Sequence, residues 1–339
     1  MDYYRTQIAF AMALLQVSQV GSTTVSMYRD SIFSLQSADD CYSLLRQIAN
    51  RFPKIKAHMP SETVFSKYID SAMACLAEQE RNGVHCVSYK SPDYPVGFHD
   101  LKKPPVFFFY KGNRDALHRK SIAVVGSRQI ESANNILARV GGKASEYIAK
   151  QGWVVVSGLA IGSDTVGHRG CLNADGVTIA TMATPLNQVY PRQNKGLCAD
   201  ILANNGCIIS EYPIKSVSKS PTDCNYSFHS YSGMDNLLKY HLVERDRLQS
   251  GLARGVFVIA TGEIGGTWHA INEARKLGKP IGILDPFEQF PNCISSSLQD
   301  GMHKVVRVAS AMAIHNSKDL QKFLNLCESH GDYESVSLF

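Results

Sequence analysis

Short apolar runs punctuate the middle of the chain: Ile122–Val125, Val154–Val156, Val177–Met182, Ile208–Ile209, Val256–Ala260 and Ile281–Leu284. Each is continuous rather than alternating, and helical stretches separate them. A continuous Val/Ile-rich run is a strand covered on both faces, and strands separated by helices join through right-handed crossovers into a parallel sheet. The pattern predicts an α/β protein with an extended Rossmann-like, doubly wound, mostly parallel sheet. Such sheets bind ligands at the carboxyl ends of their strands, so the loop after each run is where function is to be sought.

The chain ahead of these runs has another texture. Up to about Cys75 apolar groups recur at three- and four-residue spacing, as in Ile8, Met12 and Leu15, then Leu44, Leu45 and Ile48, which predicts helices. Residues 1–75 are read as a small helical domain of SAM or helix-hairpin-helix type. Within it Leu14 to Thr24 reads as a helix, a turn at Gly21 and a second helix capped by Ser22 or Thr23. Such turns can offer backbone N–H groups to DNA phosphates, although plain helix packing explains the pattern as well. From Gly83 to Asn113, strand-like Val84–Tyr89 and Val106–Tyr110 are separated by the breakers Tyr94-Pro95 and Pro104-Pro105, and are expected to extend the sheet. Residues 76–310 form the main domain and 311–339 a C-terminal helix, around Leu320 to Leu326, with a tail. The polar stretch from Lys215 to about Tyr240 is expected to be an irregular surface insertion, and little regular structure besides the last helix is expected after Pro286.

Composition narrows the class without deciding the function. With 339 residues, 44% hydrophobic and 19% charged, the chain can bury a sizeable core. A net charge of +5 permits an anionic partner without requiring one. The 9 cysteines are scattered, with no C-x-x-C pair, which argues for reduced buried thiols and against a zinc ribbon. The apolar stretch Ile8 to Val17 behind Arg5 is too short to span a membrane and is read as a core helix, consistent with a cytoplasmic protein.

Several loops carry candidate chemistry. After the first run, Gly126-Ser127-Arg128 leads toward a helix near Glu131. A glycine lets backbone approach a ligand, a helix start supplies unpaired N–H groups, and Arg adds a fork for phosphate. The next strand ends in Ser157-Gly158 and continues to Gly162, Ser163 and Asp164, with His168 one turn on; this forms a second N–H-lined hollow. Asp164 and His168 are read as capping and packing groups rather than acid–base catalysts. Tyr190, Asn194 and Lys195 follow the third strand, an aromatic face beside a cation of the kind a single-strand groove uses. Glu211 follows the fourth, where it is expected to orient a cation or a loop N–H group. Arg245, Arg247 and Arg254 lie along a helix interleaved with Glu244 and Asp246, which allows a phosphate-binding face or a salt-bridged one. Gly265-Gly266-Thr267 opens the helix after the fifth run. The glycine-lined helix starts are expected to converge on one electropositive crevice. Neither the spacing of a nicotinamide fingerprint nor a Walker lysine loop is present; no cofactor, metal or catalytic residue is expected.

The order Gly-Ser-Arg, Ser-Gly-Leu-Ala with a following Gly, Asp and His, then Tyr-Pro with Asn, then Ser-Glu-Tyr-Pro resembles the DprA/Smf (DNA-processing protein A) family, from about Gly83 to Pro286. The resemblance implies a single-stranded DNA-binding protein of DNA recombination and natural transformation, non-enzymatic and homodimeric, with a RecA-type recombinase as partner. It also implies that Gly126, Ser127 and Arg128 grip phosphate, that Ser157 and Gly158 shape the pocket, and that Lys195 touches the backbone. The family's Arg-Asn-Arg stands as Arg245-Asp246-Arg247, and its Ser-Gly-Ser-Leu as Gly265-Gly266-Thr267-Trp268. The Asp lowers local positive charge, and a C-terminal winged helix is not expected. Two other classes fit the same residues. One is a nucleotide sensor or nucleotide-processing enzyme related to phosphoribohydrolases, for which Gly265-Gly266-Thr267 lacks the usual spacing to Glu273. The other is a pure interaction module docking through the insertion.

Overall fold

Each apolar run forms a strand of one nine-stranded sheet. The computed structural model describes residues 4–130, 135–214, 234–290 and 293–336. The strands are β1 (His85–Ser88), β2 (Phe107–Gly112), β3 (Ser121–Val125), β4 (Val154–Ser157), β5 (Thr178–Met182), β6 (Cys207–Ser210), β7 (Gly255–Val258), β8 (Ile281–Leu284) and β9 (Met312–Ile314), in the spatial order β1-β2-β6-β5-β4-β3-β7-β8-β9. From β3 to β9 every pairing is parallel, while β1 and β2 add an antiparallel edge on β6, with Cys86 opposite Phe109 and Phe109 opposite Ser210. Ile122 to Val124, Val154 to Val156 and Val256 to Val258 are fully buried, which is why these runs are continuous rather than alternating.

The chain winds outward from β3 in both directions, through β4, β5 and β6 on one side and β7, β8 and β9 on the other. The order therefore reverses beside β3, and the loops leaving β3, β4 and β7 diverge around a crevice there.

Helices α1 (Arg5–Gln16), α2 (Ser22–Met27), α3 (Arg29–Ser34), α4 (Ala38–Arg51), α5 (Pro53–Lys56) and α6 (Glu62–Arg81) precede the sheet. The α1 stretch Ile8 to Gln16 is buried throughout, as a core helix requires. It shares a core with Phe107, Phe109, Ala180, Met182 and Ile208, so the helical region packs on one face of the sheet. The intervening Phe108, with Val156, Ile209 and Leu248, fills the opposite face. Burying each such side chain contributes about 1.5–3 kcal/mol relative to exposure. The buried thiols, including Cys41, Cys171 and Cys207, are free. Among the described residues no helix is long and apolar enough to cross a membrane.

The remaining helices are α7 (Ile136–Lys150), α8 (Ser163–Leu172), α9 (Lys195–Ala203), α10 (Met234–Leu252), α11 (Thr267–Lys276), α12 (Ser296–Ala309) and α13 (Ser317–Val336). Several expectations are corrected by these elements. Between α1 and α2 the left-handed residue is Gln19 (φ 69°), while Gly21 is extended and itself the N-cap, without a side-chain cap from Ser22 or Thr23. Residues 234–240 belong to α10 rather than to an irregular insertion; residues 215–233 lie outside the described residues. After Pro286 come α12 and β9 as well as α13, so the sheet continues past residue 310. The helix expected near Glu131 begins as a 3-10 turn, Arg128–Ile130, with α7 starting at Ile136; Glu131 itself lies outside the described residues.

Candidate nucleic-acid interface

Ser127 is the point where the crossover loops are tied together. Its N–H donates to the Ala260 carbonyl beyond β7 at 2.7 Å, and its own carbonyl accepts from Ser163 N–H at 3.1 Å and Ser163 Oγ at 3.0 Å. Two glycines make this closeness possible. A Cβ on Gly126 would stand 2.7 Å from Ala260 O, and one on Gly162 would stand 2.5 Å from Ser127 O and 2.6 Å from Arg128 Cα. Gly162 also has φ 79° and ψ −127°, a conformation essentially reserved for glycine.

Above this junction lies a cleft of about 910 Å³, walled by Gly126 to Gln129, Asp164, the Thr261–Thr267 loop, the inner side of α10 and the start of α12. Gly265 takes φ 138°, and both Gly265 and Gly266 face open space. Neither α11 nor α12 has a side-chain hydrogen bond at its N-cap. First-turn N–H groups and the helix dipole are thus available to an anion, and Arg128 stands exposed at the rim. The wall and floor also carry acids. Asp164, Asp246, Glu263 and Asp300 line the cleft alongside Arg128, Lys239 and Arg245. The crevice is therefore mixed in charge rather than uniformly electropositive, and its anion affinity rests on N–H groups and the rim Arg.

The floor is a buried polar network. The Asp164 carboxylate accepts from Ala160 N–H at 3.2 Å, closing the β4–α8 loop rather than capping the helix. Burial pushes its pKa up against the opposing pull of Arg245. Asp246 is pushed up to about 7 by burial, opposed by Arg245 and reinforced by Asp164.

The structure departs from the sequence expectation most at the arginines. Arg245 is buried and donates to Gly158 O and, at 2.9 Å, to Thr181 O. Its guanidinium fills the space a Cβ on Gly158 would need, which explains that glycine. Arg247, also buried, donates through Nη1 and Nη2 to both oxygens of Glu211 at 2.7 Å and through Nε to Lys103 O at 2.9 Å. Both guanidiniums hold the fold under the cleft instead of facing solvent, and Glu211 orients a cation as expected. Arg254 lies beyond the end of α10, next to β7's first residue, and donates to Glu328 O at 3.4 Å; it is at the far end of the sheet from the cleft.

Ser157 is buried, its Oγ donating to Val124 O at 2.6 Å. Asn194 is buried too and donates to Leu159 O and Thr165 Oγ1, both at 2.8 Å, pinning the β4–α8 loop. Tyr190, 45% exposed, and the exposed Lys195 stand on the same sheet edge outside the cleft lining. His168 is fully buried with Nδ1 2.7 Å from Thr178 Oγ1, and burial with nearby Arg245 lowers it to about 3; it packs. Lys239, Gln249, Ser296 and Ser297 line the cleft without having been singled out by the sequence. The run Ser295-Ser296-Ser297 ahead of Leu298, Met302 and Val305 was a readable helix start.

These features define a class: a Rossmann-like protein with an anion cleft at the switch point of a parallel sheet. Residues 85–325 match the sequence profile of DNA recombination-mediator protein A. DNA processing protein DprA of Streptococcus pneumoniae is 30% identical over 232 residues, spanning 68% of this chain and 71% of that protein. The X-ray structure of DNA processing protein A from that genus and species superposes with a TM-score of 0.68 at 24% identity, covering 95% of this chain and 98% of the other. A structure of DNA processing protein A from Helicobacter pylori, described by its single-stranded DNA binding mode, superposes with a TM-score of 0.54 at 23% identity over 71% of this chain and 94% of its own. The chain belongs to the DNA recombination-mediator protein A family.

Proposed function

We propose that this protein binds single-stranded DNA in the switch-point cleft and serves DNA processing by binding rather than by catalysis. The observation that carries the reading is the tie at Ser127, which brings the loops after β3, β4 and β7 together beneath a cleft rimmed by Arg128 and the uncapped start of α11. Gly126, Ser127, Arg128, Gly265, Gly266 and Thr267 are the proposed phosphate contacts, with Tyr190 and Lys195 continuing the track along the edge. Arg245, Arg247, Ser157, Gly158, Gly162 and Asn194 are proposed to position these loops. The DNA-binding mode described for the Helicobacter pylori relative supports this reading. Assembly into a homodimer and delivery of the strand to a RecA-type recombinase belong to the same proposal, read by sedimentation and by recombinase-filament assays.

The test is titration of a labelled oligonucleotide across a salt series. Binding should weaken steeply with salt, and Arg128→Ala should lower affinity for every sequence and reduce the log–log slope by about 0.7, the single-strand increment for one phosphate. Absence of binding at low salt contradicts the reading. A free nucleotide is the second reading, favoured by the cleft's volume of about 910 Å³, which lies in the range of small-ligand sites. Thermal stabilisation by a mononucleotide without oligonucleotide binding would establish it.

A further inference from the structure

The floor of the cleft is short of donors and rich in acceptors. Arg245 directs its guanidinium to Gly158 O, Thr181 O and, from Nε at 3.2 Å, to Asp246 Oδ1. Gln249 Nε2 donates to the same Asp246 Oδ1 at 3.0 Å, and Ala160 N–H is taken by Asp164. Two acceptors remain. Asp246 Oδ2 makes none of these bonds, and Asp246 lines the cleft. Gln249, only 2% exposed, also lines the cleft, and its buried Oε1 has no hydrogen-bond partner.

A phosphate has only acceptors and gains nothing from such a floor; a ligand there must bring hydrogens. In single-stranded DNA those hydrogens are on the bases, and guanine sets N1–H and N2–H₂ side by side, a match for carboxylate and amide oxygens. A splayed base read on this edge is a common device in single-strand recognition. A divalent cation would suit carboxylates as well, but among the described residues no group of three or more His, Cys, Asp or Glu is placed to hold one.

Resting on the single-stranded DNA reading above, we propose that Asp246 and Gln249 form a base-reading floor beneath the phosphate rim, giving this protein a preference for strands that place guanine in the cleft. The Asp standing where the family signature has Asn is then a specificity element.

The experiment compares a fluorescein-labelled oligothymidine with the same strand carrying interspersed guanines, by anisotropy in EDTA, for the wild type, Asp246→Ala and Asp246→Asn. The wild type should bind the guanine-containing strand about tenfold more tightly, at the lower end of the discrimination a good base contact gives. Both variants should bring the two strands to within about twofold while binding oligothymidine at least as well as the wild type. In Asp246→Asn the amide oxygen stays with Arg245 Nε and Gln249 Nε2, so the NH₂ turns to the cleft and opposes guanine N1–H. Equal wild-type affinities, a preference surviving in both variants, or a preference seen only with added Mg²⁺ each overturn the base-reading floor while leaving DNA binding intact. Failure of the wild type to bind either strand overturns the single-stranded DNA reading itself.

Discussion

Arg247 distinguishes a residue that touches DNA from one that holds the fold beneath it. In Arg247→Met the side chain keeps its bulk but loses the paired 2.7 Å bonds to Glu211 and the bonds to Lys103 O and Glu244 O. The Glu211 side chain, 18% exposed, is left as a nearly buried charge with no counterion. Breaking a buried pair in this way costs about 3–5 kcal/mol, and the partial exposure of Glu211 argues for the lower end. With a urea m-value of about 3 kcal/mol/M, at the top of the small-protein range, the unfolding midpoint should fall by about 1 M. Adding Glu211→Gln removes the orphaned charge and should restore part of the loss. Under conditions where the variant is folded, oligonucleotide affinity and its salt slope should match the wild type. If stability instead stays within about 0.5 kcal/mol, as for an ordinary surface substitution, while the salt slope drops by about 0.7, Arg247 is a phosphate contact and the internal role is refuted.

Gly162→Ala should lower stability by about 2–5 kcal/mol, combining strain in a glycine-only conformation with the overlap on Ser127 and Arg128, and should weaken DNA binding in the same variant; unchanged melting and affinity would mean the loops are not tied there. Asn194→Ala removes two 2.8 Å bonds inside the protein and should cost about 1–3 kcal/mol, with faster amide exchange from Leu159 to Asp164 as its local signature; uniform protection would contradict a pinning role. Asp246, held near pKa 7 by burial, binds its proton more readily folded than unfolded. Its stabilising contribution is therefore complete below about pH 4 and is lost as pH rises through about 7. Over the same window loss of its charge should tighten oligothymidine binding as pH falls, and Asp246→Asn should flatten both profiles; parallel wild-type and variant curves would place the titration elsewhere.

The sheet was readable because strands buried on both faces cannot alternate, and β3, β4, β7 and β8 show that plainly. The glycines at 126, 162 and 265 were readable because close approach or positive φ excludes other residues. Side-chain direction on α10 was not readable: Arg245 and Arg247 sit among Glu244, Asp246 and Gln249 in a pattern that suits a solvated face or a buried network. Only the packing of α10 across the sheet, with Leu248 against Phe108 and Val156, decides that the arginines point inward. Arg254 misled for a simpler reason. Helix α10 ends at Leu252, so the seven-residue spacing no longer describes a shared face. Strand β9 and helix α12 were missed because a three-residue strand and a helix opened by Ser295 carry little apolar run of their own. The acids at the cleft floor were visible individually, but their convergence depends on contacts between segments 80 residues apart, Asp164 and Asp246.

The most direct test is a crystal structure of the protein with a short single-stranded oligonucleotide. The account predicts a backbone phosphate within hydrogen-bonding distance of the Ser127–Arg128 backbone or the Gly265–Thr267 turn, with the Arg128 guanidinium on the same strand. DNA bound on another face, with this cleft unaltered and empty, would contradict it.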